Sequence, residues 1–354
     1  PWLEDEAAPK LGVNLTFDWL MAKGYSGIEL EGCWDLMFAE QALTAGLQKG
    51  GVGLEALSSK YAGITRDKSL QKSFIGHQGE FSTGQLDYTA EDTAGLFTIA
   101  DGIKKRIQEE GLQRVWKMEN RALPAFAEVT YYGQKLDVPK WQKNMEDNQR
   151  IFVEQMLELD KHFEPYFDRD LFGKLDINYK SQPQVLFGLQ MMGIRVDEKT
   201  IADTSKETQK KIQHLPVIIE LEKYRKAKRL IEAYGQNFLD AINPATGRIH
   251  FASWQYGTAT GRTAAKGDLN GYNIPRDKRF RHAFITDDGR LISTVDWSGA
   301  ELRIMADLSR DPLMVRGFNS GVDFHCFVAA MLFGREKVEK SDPIRQPTKT
   351  LNFG

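Results

Sequence analysis

The sequence predicts a multidomain chain of mixed α/β and all-α parts, and three observations carry that reading. Its 354 residues suffice for two or three domains that each bury a core of their own. Residues 12–118 alternate helical periods with Gly-rich breaks, the pattern of a mixed α and β domain, whereas 119–240 read as mostly helical. From a turn at Asn243-Pro244-Ala245-Thr246-Gly247-Arg248, short strand signals and Gly-rich loops run to about Val295, after which the helical period returns.

Taken in order, helices are expected at 17–23, 35–45, 54–61 and 91–110, separated by Gly50-Gly51-Val52-Gly53 and by the stretch 76–84. The clearest long helix spans 215–239, and its segment Lys223-Tyr224-Arg225-Lys226-Ala227-Lys228-Arg229 is strongly basic. A solvated face is the ordinary meaning of such a run, with nucleic-acid contact the less common one. Leu291-Ile292-Ser293-Thr294-Val295 is a short apolar, β-branched run, so a buried strand is expected there, delivering Asp296 at its C-terminal end. Leu302, Met305 and Ala306 then fall at helical spacing, and a helix follows.

With 41% hydrophobic and 27% charged residues, the composition is that of a soluble globular protein, and no apolar run reaches the roughly 18 residues of a membrane span. The first residues, Pro1-Trp2-Leu3-Glu4-Asp5-Glu6, carry neither a basic n-region nor an apolar h-region and no initiator Met, so a cytoplasmic piece of a longer protein is expected, with no membrane partner. Cys33 and Cys326 fit no metal or redox spacing and read as buried free thiols in a reducing compartment. A net charge of −2 neither signals nor excludes nucleic acid, because a basic groove is local.

A carboxylate between a strand and a helix, as at Asp296, suits Mg²⁺, which takes one or two carboxylates together with phosphate oxygens. A helix N-cap is the other reading of the same residue. Further on, Arg345, Lys349 and Phe353 stand at i, i+4 and i+8, which places them on one helix face. A triphosphate along such a face meets a fork-shaped guanidinium, then an ammonium a turn later, and then a ring that packs on sugar and base. Pro347 is tolerable only in a first helical turn, which sets Arg345 at the helix entrance.

The string Asp296-Trp297-Ser298-Gly299-Ala300-Glu301-Leu302-Arg303, followed by Met305-Ala306-Asp307-Leu308-Ser309, resembles motif A of family A (DNA polymerase I-like) DNA polymerases. Thr258-Ala259-Thr260-Gly261-Arg262 and Asn270-Gly271-Tyr272-Asn273-Ile274-Pro275 resemble two upstream segments of the same family. Gly321-Val322-Asp323-Phe324-His325 resembles its Gly-x-Asp-x-His, and the end of the chain, from Arg345 to Gly354, resembles its motif B. The resemblance implies a DNA-directed DNA polymerase that uses two Mg²⁺ ions, with primer–template DNA and a deoxynucleoside triphosphate (dNTP) as partners. It makes Asp296 a metal ligand, Trp297 a further oxygen donor through its carbonyl, and Glu301 a steric gate against a ribose 2′-hydroxyl. His325, Arg345, Lys349 and Phe353 fall to the incoming triphosphate and its sugar, and Arg262 and Asn270 to the minor groove of the primer–template. Trp297, Gly299 and Ala300 replace the family's usual Tyr, Gln and Ile. Phe353 in place of Tyr implies discrimination against dideoxynucleotides.

Near the N-terminus, Asn14-Leu15-Thr16-Phe17-Asp18 and Tyr88-Thr89-Ala90-Glu91-Asp92 resemble the second and third motifs of DEDD-type 3′→5′ exonucleases, whose carboxylates hold two metals. Asp18 and Asp92 then become metal ligands, and Tyr88 orients the attacking water. The first motif, Asp-x-Glu, has no candidate ahead of Asn14, so these two carboxylates are expected not to complete a site alone.

The resemblance divides the chain into a partial RNase H-like exonuclease domain (1–118), a mostly helical thumb (119–250), the first part of an α+β palm (251–316) and the start of the fingers (317–354). The basic helix would grip duplex phosphates. The parent is expected to be a monomeric polymerase, and the 354 residues alone to be inactive or nearly so. A stand-alone exonuclease would account for 12–118 but not for Asp296, His325 or the Arg345 face, and a non-catalytic DNA-binding module would account for the missing parts.

Overall fold

The computed structural model describes residues 2–44, 51–65 and 69–352, with the side chain of Lys206 outside the description. Expectations that touch Ala45, Gly50, Phe353 and Gly354 therefore lie outside the described residues. Two compact units are present, residues 1–290 and 291–354. The boundary falls inside the segment 251–316.

The first unit begins with β1 (Lys10–Gly12), α1 (Leu15–Ser26), β2 (Cys33–Asp35), α2 (Leu36–Thr44) and α3 (Leu54–Leu57), which runs on into a π turn. It continues with α4 (Thr83–Ala94), α5 (Leu96–Glu109) and α6 (Gln113–Tyr132). β1 and β2 pair in parallel, Lys10 with Cys33 and Gly12 with Asp35. Ile99, Ile103 and Ile107 recur every fourth residue on α5 and are buried beside Trp19, Leu36 and Leu123. The expected helix 91–110 is two helices that meet at Gly95. α4 starts earlier than expected because Ser82 and Gln85 form a reciprocal capping box there.

Next come β3 (Gln134–Leu136) and the 26-residue α7 (Val138–Phe163), started by the Asp137 carboxylate, which accepts from the Lys140 amide, and by Pro139 in its first turn. α8 (Gln182–Met191), β4 (Arg195–Val196), β5 (Lys199–Thr200), α9 (Lys206–Ile212) and α10 (Pro216–Ala233) complete a helical part. α7 packs along α10, and Leu159, Phe163, Leu221 and Tyr224 belong to its core. The expected helix 215–239 breaks at Tyr234-Gly235 and resumes as α11 (Gln236–Asp240). At the break the Gly235 carbonyl accepts from the Trp141 indole at 3.2 Å.

β6 (Ile242–Asn243), β7 (Arg248–Ile249), β8 (Ala252–Trp254), β9 (Ala264–Lys266), α12 (Lys278–Arg281) and β10 (Phe284–Ile285) close the unit. The order β10-β3-β7-β6 makes a four-stranded antiparallel sheet, with Leu136 opposite Phe284 and Ile249 opposite Ile242. Leu136 and Ile249 lie in a third core with Trp141, Phe238 and Phe280. The expected turn joins β6 to β7: the Asn243 side chain accepts from the Ala245 amide, and Gly247 takes a φ of 67°.

The second unit holds α13 (Ala300–Ser309), α14 (Pro312–Asn319), α15 (Phe324–Leu332) and α16 (Arg345–Asn352). The expected buried strand at 291–295 is corrected here. The segment pairs with no strand among the described residues, and Leu291 and Val295 are 96% and 88% exposed. An apolar, β-branched run has strand propensity, but a strand exists only where a neighbouring ladder and a covering layer receive it. The helix after it forms as expected, with Leu302 and Ala306 buried and Met305 exposed.

Candidate nucleotide and metal sites

In the second unit the sequence brings α15 and α16 together through charge. Asp323 caps α15, its carboxylate accepting from the Cys326 amide at 3.1 Å. The same carboxylate takes a two-pronged ion pair from Arg345, with Nε to Oδ1 at 3.1 Å and Nη2 to Oδ2 at 2.8 Å. Arg345 is the first residue of α16 and Pro347 sits in its first turn. At the far end of the helix, Asn352 Nδ2 meets His325 Nδ1 at 2.9 Å. His325 is buried, and that burial first, then the Arg345 and Lys349 cations, holds its imidazole below the usual histidine range. The Arg345 guanidinium holds the Asp323 carboxyl well below the usual carboxylate range. His325, Arg345 and the exposed Lys349 thus share one electrostatic neighbourhood. Phe353 lies outside the described residues.

Aromatic contacts tie the turn before α13 to this face. Gly299 enters the helix at φ 63°, a left-handed conformation in which glycine is unstrained. Arg303 Nε donates to the Ser298 carbonyl at 3.0 Å, and its guanidinium lies 4.6 Å over the Phe318 ring. Phe318 in turn stacks on Phe324, with centroids 4.3 Å apart. Asp296, Trp297 and Glu301 are exposed at the start of this turn, Trp297 at 85%. Asp296 therefore leads into α13 from an exposed segment outside any strand rather than from a strand end.

In the first unit, Arg262 stands in the β8–β9 loop, which closes on itself: the Thr258 hydroxyl donates to the Arg262 carbonyl and accepts from its amide at 3.0 Å. The Asn270 side chain accepts from the Tyr272 amide at 2.9 Å, and Tyr272 hydroxyl meets Ser253 at 2.7 Å. Both residues are exposed.

The start of α1, which carries Asp18, is held by a residue absent from the sequence-based candidates, Asp35. It is fully buried, and its Oδ1 accepts from the amides of Asn14 and Met37 while Oδ2 accepts from Leu15 at 2.7 Å. Its own amide donates to Asn120 Oδ1, and its carbonyl accepts from the Trp116 indole. One carboxylate therefore pins the starts of α1 and α2, and Asn14 accepts a left-handed φ of 64° there. Burial pushes the Asp35 carboxyl up to about 6 against these donors, and burial likewise raises Asp18 in the first turn of α1. Tyr88 and Asp92 occupy α4 one turn apart, with the Tyr88 ring 5.9 Å from Phe74.

Among the described residues no group of three or more His, Cys, Asp or Glu side chains could hold a metal ion. Asp296 offers a single carboxylate, and neither it nor Asp18 and Asp92 makes a two-metal donor set from the residues present. Asp35 and Asp323 each stand just before a helix, the N-cap pattern, and Asp323 also belongs to the Gly-x-Asp-x-His resemblance, but neither signal points to a second set of partners. Their partners, 20 or more residues away, carry no local signal.

Comparison with known proteins gives two family matches. The model of DNA polymerase family A matches residues 142–354, and that of a 3′-5′ exonuclease matches residues 1–108. Metal dependence is general to both families. DNA polymerase I of Chloroflexus aurantiacus is 28% identical across all of the chain and 38% of its own length. DNA polymerase I of Rhizobium leguminosarum is 25% identical across 99% of the chain and 35% of its own length. The thermostable DNA polymerase I of Thermus aquaticus is 39% identical over 144 residues, 39% of the chain and 17% of its own length. The chain thus spans little more than a third of the relatives that match it end to end. Among solved structures, the POL domain of Pol1 from M. smegmatis, in complex with DNA primer-template and dNTP, superposes with a TM-score of 0.74 at 22% identity, covering 100% of this chain and 59% of that one. That likeness concerns the fold. No helix among the described residues is long and apolar enough to cross a membrane.

Proposed function

Because the chain belongs to DNA polymerase family A, we propose that it carries the triphosphate-binding helix and the primer–template-facing loops of a DNA-directed DNA polymerase. The protein of which these residues form part would transfer a nucleotide from a dNTP to a primer 3′-hydroxyl, and residues 1–118 would be its 3′→5′ exonuclease part. The thumb is taken as 119–250, the palm as beginning at 251 and the fingers at 317. A monomer in the cytoplasm, with primer–template DNA and dNTP as partners, goes with that reading.

The observation that supports it most is the α15–α16 contact, where Arg345 pairs with Asp323, Asn352 meets His325, and the Arg345 and Lys349 cations act on the His325 imidazole. A partly desolvated guanidinium and a neighbouring ammonium, with a neutral imidazole beside them, suit a polyphosphate better than a solvated charge pair would. Arg345 would bind phosphate oxygens through its planar fork and Lys349 would act as a point charge. His325 would add a hydrogen bond in its neutral form. Asp296 would ligate Mg²⁺ with triphosphate oxygens, the common mode for that ion. Glu301 would exclude the ribose 2′-hydroxyl, and Arg262 and Asn270 would meet minor-groove acceptors. Asp18, Tyr88 and Asp92 would belong to the exonuclease centre. Among the described residues the donor set does not build a two-ion site.

Calorimetric titration of the chain with dTTP and Mg²⁺ tests the reading. Arg345→Ala and Lys349→Ala should each weaken binding by roughly ten- to a hundredfold, the value of about 1.5–3 kcal/mol for a hydrogen bond to a charged group. Thymidine, which lacks phosphates, should not bind measurably. Equal affinity of both variants and the wild type for dTTP would remove the triphosphate reading.

A further inference from the structure

Within that reading, on which the inference rests, we infer that Asp323 is a positioning residue for Arg345, fixing the guanidinium so that its remaining edge meets the triphosphate. A guanidinium carries five N–H groups in one plane. Asp323 takes one from Nε and one from Nη2, which leaves the Nη1 pair outside the ion pair. An arginine held this way keeps one orientation, whereas an unpaired one at a helix entrance samples many rotamers and loses that freedom on binding.

Asp323 is itself held. Its Oδ1 also accepts from the amide of Cys326, a buried residue, so the carboxylate is anchored to the first turn of α15. The side chains of Asp323 and Arg345 are 18% and 23% exposed, enough shelter to hold the geometry and enough opening for a ligand. The residue two positions on, His325, meets Asn352 at the opposite end of α16. Residues 323–325 therefore grip the helix at both ends, and the Arg345–Asp323 pair sets the end that carries the fork.

Two opposing effects make the inference decidable by sign. The Asp323 charge repels an arriving triphosphate, so a residue that merely neutralised Arg345 would weaken binding by its presence. A positioning residue strengthens binding despite its charge. Asp323→Asn keeps the size of the side chain and an oxygen for the Cys326 amide, as good an N-cap as Asp, but it breaks the two-pronged pair.

The test is titration of the full 354-residue chain with dTTP and Mg²⁺. The variants are Asp323→Asn, Arg345→Ala, the double variant and Arg345→Lys, with thermal midpoints recorded alongside. Asp323→Asn is expected to weaken binding about two- to tenfold, although it removes a negative charge, the usual value of immobilising one flexible side chain. In the Arg345→Ala background it should weaken binding no further, and relief of the charge repulsion should leave affinity equal or slightly higher. Arg345→Lys, which leaves the α15 cap untouched and keeps the charge but loses the fork, should weaken binding by a similar factor even where Asp323→Asn lowers the thermal midpoint. Unchanged or tighter binding by Asp323→Asn overturns the inference. So does an equal loss in the Arg345→Ala background, which would place the effect in α15 itself, and so does wild-type affinity in Arg345→Lys. In each of those cases binding by the wild type leaves the triphosphate reading standing. A wild type that binds no dTTP removes both.

Discussion

Replacing Asp35 by Asn should change stability by an amount that depends on pH. In the wild type, three backbone amides point at a carboxylate with no solvent exposure, and its pKa is nevertheless raised from 3.8 to about 6, burial outweighing the donors. A raised folded-state value means that the acid's contribution is complete below pH 3.8 and is lost as pH rises through about 6. The full shift is worth on the order of 3 kcal/mol, and roughly 2 of that falls between pH 4.5 and pH 8. Asn at this position is neutral throughout. With its oxygen in the place of Oδ1 it keeps the Asn14 and Met37 amides but turns an NH₂ toward the Leu15 amide, a mismatch of about 1–3 kcal/mol. Asp35→Asn should therefore destabilise the N-terminal core at pH 4.5 by about 1–3 kcal/mol and recover about 2 kcal/mol of that by pH 8. Urea denaturation followed by tryptophan fluorescence reports it, because Trp19, Trp34 and Trp116 belong to this core. The same loss at both pH values would show that the carboxylate is ionised in the fold throughout and that the amide donors outweigh burial.

Gly102→Ala in α5 should lower the thermal midpoint, although alanine normally stabilises a helix interior by about 1 kcal/mol. The new methyl would stand 2.6 Å from Cδ1 of Tyr61, whose hydroxyl donates to the buried Glu40 and accepts from Arg106, so a loss of about 1–3 kcal/mol is expected and a higher midpoint would refute it. Gly299→Ala should cost about 1–2 kcal/mol from its left-handed φ alone, since the added carbon would meet Phe318 at an ordinary 3.7 Å. Faster amide exchange in the first turn of α13 measures it, and unchanged exchange would refute it. The depressed Asp323 carboxyl contributes stability that is complete above pH 3.8 and lost only as pH falls through its lowered value. In a His325→Gln background, which removes the imidazole that meets Asn352 and titrates in this range, protection of the α16 amides, corrected for intrinsic exchange, should thus hold from pH 7 down to pH 4, and a loss already at pH 5 would contradict the Arg345–Asp323 pair.

How far the sequence could be read depended on the range of the interaction concerned. The α16 face was legible from Arg345, Lys349 and Pro347, because spacing along a helix and the place of a proline are local facts. The β6–β7 turn was legible from Asn243 and Gly247 for the same reason. The roles of Asp35 and Asp323 were not, since what distinguishes them from ordinary caps is a second set of partners: Asn14 and Leu15 for one, Arg345 for the other. The run 291–295 misled in the opposite direction. Its residue types favour a strand, and pairing is a property of the neighbours rather than of the run. Within 91–110, the helical period continues across Gly95, where α4 and α5 are nonetheless separate helices.

The length of α7 has a mechanical consequence. Trp141, near its start, is locked among Phe238, Phe280 and the four-stranded sheet, while Leu159 and Phe163, near its end, belong to a different core. One helix of 26 residues, roughly 39 Å long, is thus a shared beam between two packed bodies. A tilt of about 5° at the tryptophan would sweep the far end through about 3 Å, the width of a hydrogen bond. Small adjustments beside the sheet are in this way geared up at the tip of the helical part, and the gearing ratio is fixed by the number of turns in a single helix.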